Sequence, residues 1–333
     1  MKTLSLVIPI RNQAHCVQRL LDSLAAQSIA KEIEIIFSDD GSSDDCAAVI
    51  HAWSRKTGLD ATIVRSSVSE GTLRARLKGY AASTAPCIAF ADADDTLLGT
   101  TALERACRLA ADCDADIVHC RTRGLSPDGS VPLGELSWAA PYMECLEGEK
   151  IFHTFFASRV YPPLLIWSKI FSRRLLDIVV SHAAPLRIFR FDDKCLLMLS
   201  VFFARKYVPC DEFLYLYRTS DVWPIEKFSG RLRDLFTLQE VMQNLFSAHG
   251  TSRESVAVFR EYMQRRIGIN MGKMSAKIQE ALASGQSFAN ILERTSAFLD
   301  SETLLRSILA SCLYNTDKIE QAGALLHDVV RER

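Results

Sequence analysis

Two groups of carboxylates have the types and spacing to do chemistry: Asp39-Asp40, running into Gly41-Ser42-Ser43, and Asp92-Ala93-Asp94-Asp95. Each follows a short apolar run that reads as a strand, Ile33 to Phe37 in the first case and Cys87 to Ala91 in the second. Acids that follow strands of one parallel sheet converge on the crevice at the strands' carboxyl ends, where open α/β sheets bind ligands. Asn12, after a first strand at Leu4 to Ile10, belongs to the same edge. A crevice lined with carboxylates repels phosphate unless a cation intervenes, and hard divalent ions such as magnesium or manganese take oxygen ligands. These residues therefore suit a metal that bridges carboxylate to a diphosphate, with an unbridged acid accepting from a sugar hydroxyl or a base N–H. The competing reading is ordinary turn chemistry at Asp-Gly-Ser and helix capping by Asp94 or Asp95. Neither Gly-x-Gly-x-x-Gly nor Gly-x-x-x-x-Gly-Lys follows a strand, which argues against dinucleotide and P-loop sites.

The elements that must position these acids alternate strand and helix. Asn12 is placed to cap a helix carrying Val17, Leu20, Leu21 and Leu24 on one face, and a serine after Gly41 to cap a helix through about Trp53. Ala61 to Val64 gives a third strand, Thr72 to Ala82 a helix, and about Thr101 to Ala111 another before a strand at Ile117 to Cys120. This is α/β, doubly wound on a mostly parallel sheet. Prolines and glycines make residues 121–149 an irregular excursion. Then come a helix near Lys150 to Ala157, an amphipathic stretch around Trp167 to Leu176, a helix from Asp192 to Ala204 and a strand at Phe213 to Tyr217. After Pro224 the spacing is helical, as in Leu232, Leu235, Leu238, Val241 and Leu245. A catalytic domain over residues 1–222 and a helical domain over 223–333 are expected.

A chain of 333 residues, 48% hydrophobic and 24% charged, can bury a core, and its net charge of -1 gives no electrostatic case for nucleic acid. The apolar runs fall short of the roughly 18 residues that a spanning helix needs. Ten cysteines without a Cys-x-x-Cys pair point to reduced thiols and a cytoplasmic location.

Four blocks in order, Ser5-Leu6-Val7-Ile8-Pro9-Ile10-Arg11-Asn12, Ser38-Asp39-Asp40-Gly41-Ser42-Ser43-Asp44, Gly71 with Ala75-Arg76 and Gly79, and Phe90-Ala91-Asp92-Ala93-Asp94-Asp95, resemble the signature of family 2 glycosyltransferases. The type resembled is the one found in bacterial capsule, lipopolysaccharide and exopolysaccharide synthesis. The resemblance implies a GT-A fold, a nucleoside diphosphate sugar donor, usually a UDP-sugar, and manganese or magnesium. It places Pro9, Arg11, Asn12 and Asp39 around the base, with Asp40 close by, Arg76 on the diphosphate, Asp92 near the ribose and metal, and Asp94 on the metal. Arg11 stands where an aromatic residue is common, and Leu77 replaces a frequent Asn.

Inverting transfer also needs a carboxylate to take the acceptor's proton. Arg190-Phe191-Asp192-Asp193-Lys194 resembles the family's acidic pair before the acceptor-side helix, with Asp193 as base and Asp192 as the first acid; capping and a helix-dipole contact would use the same residues. Trp167-Ser168-Lys169 resembles a segment whose lysine faces the phosphates, although Lys169 could equally be solvated. His182 could complete a metal site. The acceptor implied is a glycan or lipid-linked oligosaccharide. The helical domain could dimerise or touch an anionic membrane through Arg265, Arg266, Lys273 and Lys277. A non-catalytic nucleotide-sugar-binding scaffold and a sugar nucleotidylyltransferase are the alternatives, and the latter would need a glycine-rich loop where Pro9-Ile10-Arg11-Asn12 stands.

Overall fold

The structure, a computed structural model, describes residues 2–157, 162–219, 225–287 and 290–291. The chain opens with β1 (Leu4–Ile10), α1 (Val17–Ala25), β2 (Ile33–Asp39), α2 (Cys46–Thr57), β3 (Ala61–Arg65), α3 (Thr72–Ala81) and β4 (Cys87–Phe90). β1 is buried along its length except at Pro9, as a strand covered on both faces must be. α1 buries Val17, Leu20, Leu21 and Leu24 as one stripe, and α2 stops where Gly58 takes a left-handed φ of 71°. Neither helix has the serine or asparagine cap that the spacing suggests. Cys16 and Asp45 occupy the cap positions without a side-chain bond, and Asn12 itself adopts φ 55°.

β5 (Thr96–Leu97), α4 (Ala102–Asp112), β6 (Ile117–Leu125), β7 (Pro132–Glu135), β8 (Leu146–Glu147), α5 (Glu149–Ala157), β9 (Lys169–Ser172), α6 (Arg173–Ala183), α7 (Asp192–Phe203) and β10 (Lys206–Arg218) complete the first unit. The sheet runs β3-β2-β1-β4-β9-β6-β10-β5, with β7 on β6 and β8 on β10. Its first four strands are parallel and β6 is parallel to β10, but β9 runs antiparallel between β4 and β6, so the sheet is mixed. The expected irregular stretch after Cys120 is partly regular, because β6 continues to Leu125 and β7 returns along it. The stretch from Trp167 to Leu176 is a short strand followed by the start of α6.

Contacts divide the chain into two compact units, residues 1–187 with 192–221 and residues 188–191 with 222–333. Within the second, α8 (Ile225–His249) and α9 (Arg253–Ala283) pack together around Phe228, Leu232, Met274 and Ile278. No helix among the described residues is long and apolar enough to cross a membrane.

The core of the first unit draws α3 tightly onto β1. A Cβ placed on Gly79 would lie 2.4 Å from Val7 Cγ1 and 3.4 Å from Ser38 Cβ. Gly79→Ala is therefore expected to lower stability by about 1–3 kcal/mol, the usual cost of overpacking. Urea unfolding checks this, and an unchanged midpoint would show that the helix can retreat.

Candidate active site at the carboxyl edge of the sheet

Parallel register brings the acid groups to one edge. Pro9 lies beside Ser38 and Ile10 beside Asp39, while Val7 pairs with Phe90, so the residues after β1, β2 and β4 emerge together. The first group builds a turn. Asp39, almost fully buried, accepts from Ser42 N (2.8 Å) through Oδ1, and its Oδ2 lies 3.3 Å from Arg65 Nε without receiving a hydrogen bond. Asn12 Oδ1 accepts from Ser43 N (2.8 Å), and Asn12 N donates to Ser42 Oγ (3.1 Å). Its left-handed backbone thus ties the end of β1 to the Gly41 turn instead of capping α1. Asp40 accepts from Ser69 Oγ (2.6 Å), Glu70 N (2.7 Å) and Gly71 N (3.0 Å), which fixes the loop that starts α3.

α3 carries Arg76 inward. Its guanidinium, 4% exposed, donates through Nη2 to Asp92 Oδ1 (2.7 Å) and through Nη1 to Asp192 Oδ2. One buried cation therefore joins the turn after β4 to the first residue of α7. Removing one member of such a buried group typically costs about 3–5 kcal/mol, because a charge is left behind unpaired.

The acids after β4 divide their work. Asp95 is buried and anchors β10 by accepting from Arg218 N (2.7 Å); burial and the charges of Asp92 and Asp94 hold its carboxyl well above the usual range. Asp94 is partly open to solvent, and its carboxyl is raised by burial and then by Asp92, against the opposing pull of Arg218 and His15. Neither acid caps α4, whose cap position is Thr101. Asp92 N donates to the hydroxyl of buried Tyr215 (2.8 Å).

An aromatic wall stands behind these acids. Trp167 stacks between Tyr215 and Tyr217, with ring centroids 4.9 Å away on each side, and Trp138 meets Trp167 and Tyr217 edge-on. Ser168 then turns left-handed at φ 59°, donating to Cys120 O (3.0 Å), and Lys169 enters β9 opposite His119. Lys169 is 1% exposed, and burial pulls its ammonium down to about 7 despite the attraction of Cys120 and Asp193. Asp193, in the first turn of α7, is one-fifth exposed; its Oδ1 accepts from Lys194 N (2.7 Å) and its Oδ2 lies 3.8 Å from Lys194 Nζ.

The model of the family described as "Glycosyl transferase family 2" matches residues 5–144, which contain both acid groups and Arg76. Residues 5–144 are thus similar to the family 2 glycosyl transferase domain. A poly(ribitol-phosphate) beta-glucosyltransferase of Bacillus spizizenii is 28% identical over 150 residues, 45% of this chain but only 23% of that protein's length. Residues 1–349 of TarS from S. aureus, solved in complex with UDP-GlcNAc, superpose with a TM-score of 0.61 at 18% identity, covering 98% of this chain and 92% of that one. The mannosyltransferase PcManGT of Pyrobaculum calidifontis, solved with GDP-Man and Mn2+, gives 0.55 at 15% identity over 95% and 88%. These likenesses establish the GT-A fold.

In the first unit the expected residues Pro9, Asn12, Asp39, Asp40, Arg76, Asp92, Asp94 and Asp192 share one edge, and Arg11 is exposed beside them. Arg76 and Asp40 are the most heavily committed to the protein. Both terminal nitrogens of Arg76 are occupied by acids, and both oxygens of Asp40 by the loop before α3. His182 stacks on Phe203 (4.8 Å), at the opposite end of α7 from Asp193. Spacing gave no notice of the roles of Asp95 and of Tyr215; the alternation of Tyr215 and Tyr217 on one strand face was their only signal. The donor set fits a hard divalent ion, since Asp94 and Asp92 present carboxylate oxygen beside a like-charged neighbour that a cation would quiet. Among the described residues no three or more His, Cys, Asp or Glu side chains are arranged to hold an ion by themselves.

The buried lysine has a testable cost. With its folded value lowered to about 7 from 10.5, the penalty is complete below pH 7 and is relieved as pH rises toward 10.5. Lys169→Met should melt above wild type at pH 7, with the gap narrowing by pH 9.5. A gap that does not change with pH would show that the ammonium is solvated.

Proposed function

We propose that this protein transfers a sugar from a nucleoside diphosphate donor, a UDP-sugar, to the hydroxyl of a glycan or lipid-linked acceptor in envelope polysaccharide synthesis, with inversion. The observation that carries the reading is the Arg76 bridge, which brings an acid of the donor edge and the start of α7 to one guanidinium. The relatives support the substrate class, since two are named or titled for poly(ribitol-phosphate) glucosyl transfer and for a UDP-GlcNAc complex.

Asp39 Oδ2, buried and without a hydrogen-bond donor of its own, accepts a base N–H, and Asn12, Pro9 and Arg11 frame that pocket with a guanidinium available for stacking. Asp94 and Asp92 would hold manganese or magnesium, which would supply neutralising charge for the leaving diphosphate. Lys169, buried behind the site, adds a positive charge only while it is protonated. Asp193 takes the proton of the attacking acceptor hydroxyl, because Asp192 beside it is already spent on Arg76. Residues 1–222 form the catalytic domain, and residues 223–333 serve packing, self-association or the acceptor side, working in the cytoplasm at the inner face of the membrane.

Asp94→Asn should weaken manganese-dependent UDP binding by tenfold or more. Asp193→Asn should leave that binding within twofold and lower nucleoside diphosphate release from a panel of nucleotide sugars by at least a hundredfold. Wild-type turnover in Asp193→Asn would remove the base assignment. Donor binding by the wild type with no turnover of any donor would favour a scaffold.

A further inference from the structure

The four residues that precede α7 belong to the helical unit, and three of them are held there by one side chain. Asp234, on α8, is completely buried. Its Oδ2 accepts from Arg190 N (2.7 Å), Phe191 N (2.9 Å) and Phe189 N (3.2 Å), and Oδ1 also accepts from Phe189 N at 3.2 Å. Three consecutive backbone N–H groups converging on one anion make a nest, which fixes the dihedral angles of the segment that supplies them. The rings flanking the nest are fixed as well. Arg233 lies over Phe189 at 4.5 Å and Arg231 over Phe191 at 5.2 Å, and Phe191 is itself buried.

Burying a carboxylate is expensive unless it is fully hydrogen-bonded, and a segment that only had to close a surface loop could leave its N–H groups to water. Here the cost is met directly upstream of Asp192 and Asp193. The peptide bond after Phe191 leads into Asp192, the first residue of α7, whose side chain Arg76 holds. The backbone of Asp193 is thus constrained from the residue on its N-terminal side, while its carboxylate meets Lys194 within its own turn.

We infer that Asp234 is a positioning residue for Asp193: its carboxylate holds residues 189–191 so that α7 begins with Asp193 set for proton transfer. The inference rests on Asp193 being the base. Asp234 touches no substrate in this role. An amide at position 234 keeps the shape but loses the charge and turns N–H groups toward the N–H groups of the loop.

The test is a double-mutant cycle on the full-length chain, reading UDP release from UDP-glucose and UDP-N-acetylglucosamine with manganese. Asp234→Asn should lower kcat tenfold or more while KM for the sugar nucleotide and affinity for UDP with manganese stay within twofold. Asp234→Glu, which retains the charge, should recover part of the loss. In an Asp193→Asn background the Asp234→Asn change should add less than twofold. Equal losses in both backgrounds, a raised KM with unchanged kcat, or wild-type kcat in Asp234→Asn would each overturn the inference. Wild-type kcat in Asp193→Asn alone would instead remove the base reading on which it stands. If Asp234→Asn does not bind UDP and so has not folded, Asp234→Glu takes its place in the cycle: a smaller loss of kcat that is absent in the Asp193→Asn background is expected, and equal losses in both backgrounds overturn the inference.

Discussion

The arrangement of the edge depends on one buried cation. Arg76 sits between Asp92 and Asp192, and each of these acids has a second acid close by in the chain, Asp94 after β4 and Asp193 on α7. Without the guanidinium, two carboxylates would face each other in a poorly solvated space. With it, they become fixed points from which the other two acids project. Getting Arg76 there uses a relay of local interactions: Asp40 fixes the loop before α3, Gly79 lets α3 approach β1, and the helix delivers the arginine.

Charge at the edge is graded by depth. The deepest acid, Asp95, serves the fold by holding β10, while Asp94 remains partly open. The aromatic wall of Tyr215, Trp167 and Tyr217 limits solvent on that side and raises the cost of leaving the acids unneutralised, which favours a bound cation. Lys169 enters from the same segment as Trp167, two residues on, so wall and cation are set by one left-handed turn at Ser168.

Much of the edge was legible in the residues, because fully buried parallel strands leave apolar runs that end abruptly in polar ones. Ile33 to Phe37 and Cys87 to Phe90 are such runs, and the acids after them mark the edge. What could not be read has physical reasons. β9 is four residues mixing Lys, Ile, Phe and Ser, too short for any periodicity, and its antiparallel insertion is a matter of long-range pairing. The partners of Asn12 and of Arg76 lie 31 and 116 residues away, so neither a turn across strands nor a bridge between helices has a local signature. Asp234 sits in a helical pattern, where an acid reads as a solvated face; only its burial reveals the nest.

Under the proposed function a donor is held through a cation at this edge, and metal is then the condition for nucleotide binding. Calorimetric titration of the protein with UDP, in manganese and again in EDTA, measures that condition directly. Saturable binding near one UDP per chain in manganese, lost in EDTA, is expected. Equal affinity in EDTA, or no binding in either buffer, would contradict a metal-held nucleotide sugar.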